Sequence, residues 1–360
     1  MKRIGLSLLL LLMALTMVAA NRTRIAASDP DIVYVGRISM KNPKAPMLGY
    51  TGAQITAMFE GTSVDMILKP NSGYYMVEID GGEPYKVHSA ADSVVHLASG
   101  LKDGVHRVAI TQLNEAILVK FPTFHGFLLD DGKRLAGKPQ MPTRKIEVIG
   151  NSITCALGIE DDYYAKNPSD TRKYQNAYYS YAWQTARALD AQCVMVSRSG
   201  IGCYRNNGGD INGDPGKTMP AYYPHTLFSL QSELWDFSRY QPDVVCVNLG
   251  TNDTAQKYYT SLLTKSMKDF IRQLRGYYPN AKIVLLSGTM RKGKRLEDLT
   301  TALNEAVRDL QAEGMTDLYR FDLTPADGSL GYGTAMHPSL KQHTQMAEEL
   351  TAFLRQIMNW

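Results

Sequence analysis

From Arg144 onward the chain alternates short apolar runs with amphipathic stretches of helical period. The runs Lys145–Ile149, Gln192–Ser197, Asp243–Asn248, Lys282–Ser287 and Leu318–Asp322 have the length of strands. Helical patterns lie between and after them, at Asn176–Leu189, Ser261–Tyr277, Leu296–Glu313 and Ser339–Met358. Strands that are apolar on both faces and separated by helices fit a parallel sheet covered on both sides. An α/β domain is therefore expected. In such sheets ligands sit beyond the carboxyl ends of the strands, so the residues just after each run are the first candidates for a site.

The front half has a different texture. Between residues 31 and 130, apolar and polar positions alternate over short segments such as Gln54–Phe59, Tyr74–Ile79 and His106–Ile110. Glu60-Gly61-Thr62, Asp80-Gly81-Gly82 and Lys102-Asp103-Gly104 supply turns between them. Regular short strands with glycine-rich turns predict an antiparallel sandwich. Asp131 to Thr143, rich in Gly, Lys and Pro, reads as a linker. The organisation expected is a signal peptide over 1–20, a β-sandwich domain over 21–137 and an α/β domain over 138–360.

The signal peptide is read from Lys2-Arg3, the apolar run Leu6 to Ala20 and the small residues Val18-Ala19-Ala20. That run is roughly 15 residues, short of the about 20 that a spanning helix needs. A secreted or periplasmic protein, free of the membrane once cleaved, is expected. Net charge is +4 and the charges are dispersed without a basic stripe, so nucleic acid is not an expected partner. Cys193 and Cys246 lie inside strand-like runs, where a free thiol packs as a small hydrophobe. Cys155 and Cys203 each lie close to a candidate site residue, and in an exported chain a bridge between them is an open alternative. No cysteine or histidine spacing suggests a metal, and no cofactor is expected.

Four residues carry the chemistry. Ser152, in Gly150-Asn151-Ser152-Ile153, follows the first strand of the α/β half and is the candidate nucleophile, at the expected start of a helix. Gly200, in Ser199-Gly200-Ile201-Gly202, follows the second strand and offers a backbone N–H. Asn252, in Leu249-Gly250-Thr251-Asn252-Asp253, follows the third and offers a side-chain N–H. His337, in Met336-His337-Pro338-Ser339, stands before the last helical pattern and is the candidate general base. Ser, Gly, Asn and His in that order are the parts of a serine esterase whose oxyanion hole uses the Ser152 and Gly200 N–H groups and the Asn252 side chain. The other serine-hydrolase layout, the G-x-S-x-G elbow, does not occur.

These blocks resemble the SGNH (GDSL-type) hydrolase superfamily and, more narrowly, carbohydrate esterase family 2. The resemblance rests on Ile149–Cys155, Trp235-Asp236-Phe237, Pro242–Asp253 and Gly331–Ser339, with Phe59-Glu60-Gly61-Thr62 and Ile79-Asp80-Gly81-Gly82 in the front half. It implies a flavodoxin-like three-layer α/β/α domain preceded by a jelly-roll sandwich. It also implies acetylxylan-esterase-type chemistry, with acetylated xylan, glucomannan or small acetylated sugars as the substrate. Three positions depart from the pattern: Asn151 stands where relatives often have Asp, Ala335 where many carry the acid that orients the histidine, and Met336 where those relatives have Trp. A Ser152–His337 dyad is then expected, with a backbone carbonyl near Thr334–Ala335, or less readily Asp327, taking the imidazole N–H. Tyr204, Tyr222 and Met336 are candidates for the sugar-binding surface. Two other readings are open: a carbohydrate-binding protein that has lost catalysis, and an esterase for another acyl ester.

Overall fold

A computed structural model describes residues 21–161 and 171–360; the expected signal peptide lies outside them. The front half carries β1 (Arg22–Ala26), β2 (Val33–Val35), β3 (Ile38–Ser39), β4 (Met47–Leu48), β5 (Gln54–Gly61), β6 (Val64–Leu68), β7 (Gly73–Ile79), β8 (Tyr85–Ser89), β9 (Val94–Ala98), β10 (Gly104–Gln112) and β11 (Phe124–Asp130). The order β1-β11-β6-β9 makes one antiparallel sheet and β2-β5-β10-β7-β8 another. Alternate residues of both sheets, among them Ile55, Phe59, Met66, Val77, Val108 and Phe127, meet in one apolar core. The expected linker is partly structure. Beyond the short β2, Arg134 and Ala136 hydrogen-bond to Glu60 and Met58 of β5 and bury Leu135. The segment takes the place beside β5 that β2 leaves, because bare ladder groups at a sheet edge need partners.

The second half carries β12 (Arg144–Gly150), α1 (Tyr181–Ala188), β13 (Ala191–Ser197), α2 (Met219–Tyr222), β14 (Val244–Asn248), α3 (Thr260–Tyr277), β15 (Lys282–Ser287), α4 (Lys294–Ala312), β16 (Leu318–Asp322) and α5 (Leu340–Met358). The five strands pair in parallel in the order β13-β12-β14-β15-β16. Side chains alternate across the sheet. Val245, Val247, Ile283 and Leu285 face α3 and α4, while Val148, Cys246, Val284 and Leu286 face α1 and α5. This is the three-layer arrangement expected of the sequence. Among the described residues, no helix is long and apolar enough to cross a membrane.

The two halves share buried contacts. Arg37, in the turn after β2, and Glu147, in the middle of β12, are both fully buried and lie 3.7 Å apart. The Arg37 guanidinium sits 4.2 Å from the Tyr223 ring, and Tyr278 donates to Glu147 at 3.0 Å. Removing one partner of such a pair would strand a charge in the interior. Trp183 of α1 donates its indole N–H to the Gly52 carbonyl at 3.1 Å. Gly52 has φ of +75°, and a Cβ there would lie 2.8 Å from the indole nitrogen, so the junction requires glycine.

Candidate active site

The strand order places β12 and β14 side by side, with β13 on the far side of β12, so the chain leaves β12 and β14 toward opposite edges. The crevice at such a switch point is where open α/β sheets take ligands. Ser152 follows β12, Gly200 follows β13 and Asn252 follows β14. All three meet His337 in one cleft of 480 Å³, which Leu157 and Arg291 also line.

Ser152 is held by the residue before it. The Asn151 Oδ1 accepts from the Ile153 N–H at 3.0 Å, and its Nδ2 donates to the Asn248 carbonyl at 3.3 Å. Aspartate would supply the first contact but not the second. The helix expected at Ser152 does not form. One helical turn closes when the Cys155 N–H reaches the Asn151 carbonyl at 2.9 Å. Ala156 (φ +55°) and Gly158 (φ +69°) then swing the backbone left-handed, and residues 153–160 are tight turns. Ser152 therefore has no helix dipole behind it, and only individual N–H groups are available there to an anion.

Those turns carry the histidine loop. A Cβ on Gly158 would lie 2.3 Å from the Thr334 Cβ. The Thr334 N–H donates to the Gly158 carbonyl at 3.2 Å, and its hydroxyl donates to Asp161 at 2.6 Å. The Thr334 carbonyl lies 2.9 Å from His337 Nδ1, and His337 Nε2 lies 2.8 Å from Ser152 Oγ. A carbonyl only accepts, so Nδ1 carries the proton and Nε2 presents its lone pair to the serine. Asp327 is elsewhere, accepting from the Ser329 N–H at 2.8 Å and hydroxyl at 2.6 Å. Burial lowers the His337 pKa below its ordinary value, although the Thr334 and Ala335 carbonyls oppose the shift. The arrangement can take a proton from Ser152 as it attacks.

Opposite the histidine, two loops are knotted together. Gly200 adopts φ of +78° with nothing within 4 Å of a would-be Cβ, so backbone conformation, not crowding, calls for glycine. Asn252 donates from Nδ2 to the Ile201 carbonyl at 2.7 Å, which uses one of its two amide hydrogens. The buried Asp253 carboxylate accepts from the N–H groups of Cys203 (2.9 Å), Tyr204 (2.7 Å) and Arg205 (3.2 Å). Burial still raises its pKa. Arg291 donates to the Thr251 carbonyl at 2.9 Å from Nε.

The front half also reaches this loop. Glu115, buried between β10 and β11, accepts from the Ser199 N–H at 2.8 Å and from the Ser199 hydroxyl. It also accepts from Gln175 Nε2 at 3.2 Å, and Gln175 Oε1 accepts from the Glu115 N–H at 3.0 Å. Sequence reading missed Glu115, Asp161 and Arg291. Nothing local marks the first two, which act across the fold. Arg291 opens the run Arg291-Lys292-Gly293-Lys294-Arg295, a local exception to the otherwise dispersed charge of the chain.

The structure does not bring Tyr204 and Tyr222 to the cleft. Tyr204 is buried and lines a separate hollow with Cys203 and Phe270, because Asp253 grips its backbone and its hydroxyl accepts from the Tyr259 N–H at 3.2 Å. Tyr222 stacks on Phe228 with ring centroids 4.1 Å apart. Met336 is half exposed and borders the adjoining groove. All four cysteines are free and buried, so the Cys155–Cys203 alternative is not realised. Cys155 instead contacts the Ser197 hydroxyl at 3.2 Å, and burial pushes its pKa well above the ordinary thiol range.

The comparisons with known proteins agree with this architecture. Residues 34–139 match the carbohydrate esterase 2 N-terminal model, and residues 148–345 match the GDSL-like lipase/acylhydrolase family. The cellulase/esterase CelE of Acetivibrio thermocellus is 37% identical over 337 residues. That alignment takes in 92% of this chain, which spans only 40% of the length of that relative. An acetylxylan esterase/glucomannan deacetylase of Cellvibrio japonicus is 31% identical, with 93% of this chain and 91% of the relative covered. A family two carbohydrate esterase from Clostridium thermocellum, solved with cellohexaose, superposes with a TM-score of 0.83 at 35% identity. That superposition covers 91% of this chain and 99% of the solved one.

Proposed function

The chain belongs to carbohydrate esterase family 2, and from that premise we propose that it is an exported O-acetyl esterase of hemicellulose working through a Ser152–His337 dyad. The observation that carries the reading is the 2.8 Å contact between Ser152 Oγ and His337 Nε2 in a cleft shared with Gly200 and Asn252. His337 accepts the Ser152 proton as Oγ attacks the acetyl carbonyl. The oxyanion of the tetrahedral intermediate lies toward the Ser152 and Gly200 N–H groups and the second amide hydrogen of Asn252. The imidazolium then protonates the departing sugar oxygen, and the C–O bond to the sugar breaks. Water activated by His337 attacks the acetyl-enzyme and releases acetate. The Thr334 carbonyl keeps the imidazole in the productive tautomer throughout, the role that a carboxylate fills in a triad.

The names of the relatives support acetylated xylan or glucomannan as the substrate, and the segment Lys2 to Ala20 supports export. The test is acetate release from acetylated xylan and acetylated glucomannan by the wild type and by Ser152→Ala. Release should fall by at least about 10⁴-fold in the variant, as for loss of a nucleophile in other serine hydrolases, and the wild-type rates rank the two glycans. Release unchanged in the variant would reject Ser152 as nucleophile. No release from the wild type would reject the hemicellulose assignment.

A further inference from the structure

The cleft does not end at the histidine. Met290 and Arg291 line it and also line a second groove of 380 Å³, bounded by Lys292, Arg295, Tyr332 and Met336. This groove is walled by the basic run that joins β15 to α4. Lys294, which does not line it, is paired with Asp298 at 2.6 Å. Lys292 lies 3.3 Å from the Tyr332 hydroxyl and pairs with no carboxylate within 4.0 Å among the described residues. Arg295 is exposed, and no carboxylate pairs with it among the described residues. Its charge, after burial, helps to lower the pKa of Arg291.

This concentration of charge works against the local fold. Lys294 and Arg295 stand in the first turn of α4, where cations oppose the helix dipole, and the N-cap Gly293 offers no side chain to the free N–H groups. Besides Asp298, two carboxylates among the described residues bear on the area. Glu297 acts on Lys294. The exposed Asp327 is held low by its Ser329 bonds, with Lys292 adding to the effect. Neither cancels Arg291 and Arg295. The groove also offers an apolar surface, since Met336 is half exposed and the Tyr332 ring stands at its edge.

We propose that this groove is a subsite for an anionic sugar unit, bearing a carboxylate or a phosphate, on the same glycan whose acetyl group lies at Ser152. The proposal rests on the esterase reading for the placement of the acetyl group, but the subsite can be measured without acetyl transfer. Ser152→Ala enzyme is titrated calorimetrically with a neutral xylo-oligosaccharide, with the same oligosaccharide bearing glucuronic acid, with that ligand after reduction of its carboxyl to the alcohol, and with glucose 6-phosphate beside glucose. The acidic oligosaccharide should bind about fivefold more tightly than the neutral and reduced forms, the scale of one exposed charge contact. The advantage should shrink as salt is raised. Arg295→Glu and Lys292→Glu, each made in the Ser152→Ala background and checked by thermal melting, should abolish or invert the ratio. A phosphate preference without a carboxylate preference assigns the subsite to phosphorylated sugars. Equal affinities across all the pairs, no measurable binding of any anionic ligand, or a preference that survives both charge reversals overturns the proposal. Failure of acetate release alone bears on the hemicellulose reading and leaves these ratios to judge the groove.

Discussion

The two sides of Ser152 are built from different materials. On the side proposed to hold the oxyanion, buried carboxylates do the holding. Asp253 gathers three N–H groups of the 203–205 loop, and Glu115 reaches across from the sandwich to fix Ser199, next to Gly200. On the histidine side, a main-chain carbonyl orients the ring, and the carboxylate of Asp161 stands one residue back, bonded to the Thr334 hydroxyl rather than to the imidazole. Among the described residues, no other acid takes the place beside His337 that Ala335 leaves without one. On the proposed mechanism, the carboxylate-held side is the one where negative charge develops, and His337, the proposed base, has a neutral partner.

The largest expected effect on this contrast comes from Asn252. Asn252→Ala removes the only side-chain donor proposed for the oxyanion and also frees the Ile201 carbonyl. A loss of about 10²–10³ in kcat is expected, with KM little changed. Initial rates on a soluble acetylated sugar measure it. A change in KM alone would make Asn252 a substrate contact and would remove the side-chain donor from the oxyanion side.

Glu115→Gln is a milder probe of the same side. The variant keeps the shape but exchanges one acceptor oxygen for a donor and removes the charge that strengthens both Ser199 bonds. Hydrogen bonds to a charged group are worth about 1.5–3 kcal/mol, and only the part transmitted to Gly200 reaches the transition state. About a tenfold fall in kcat is expected, with KM near the wild-type value. On the proposed mechanism Glu115 would act only by positioning Gly200, so kcat is the discriminating readout. A lowered melting temperature with kcat intact would reduce the contact to cement between the two halves and would weaken the contrast.

What was legible in the sequence follows the same division. Ser152, Gly200, Asn252 and His337 each occupy a loop directly after a strand or before a helix, and periodicity located those elements to within a residue or two. Residues that act through tertiary contact were not legible: Glu115 lies 84 positions from Ser199 in the chain, and Asp161 lies 173 from Thr334. The helix expected at Ser152 failed for a local reason, a left-handed Ala156 that sequence pattern does not announce. Tyr204 and Tyr222 lie close to the site blocks along the chain only. Backbone bonds to Asp253 and stacking on Phe228 turn them away from the cleft.

The smallest effect tests the histidine side by pH. As the proposed base, His337 can act only when neutral. Its pKa is lowered mainly by burial, so the neutral form persists below the ordinary value of 6.5, and activity is lost only as pH falls through the lowered value. The acid limb of kcat/KM should therefore lie below pH 6.5 rather than at the position of an unperturbed histidine. A carboxylate partner would favour the imidazolium and move the limb upward. Ala335→Asp makes that comparison within one protein. Its site has φ of +52°, a conformation that aspartate tolerates better than most residues. The variant should show a limb displaced to higher pH. A wild-type limb at or above 6.5 would mean that a negative charge already acts on His337, and the neutral-partner account of this side of the serine would fall.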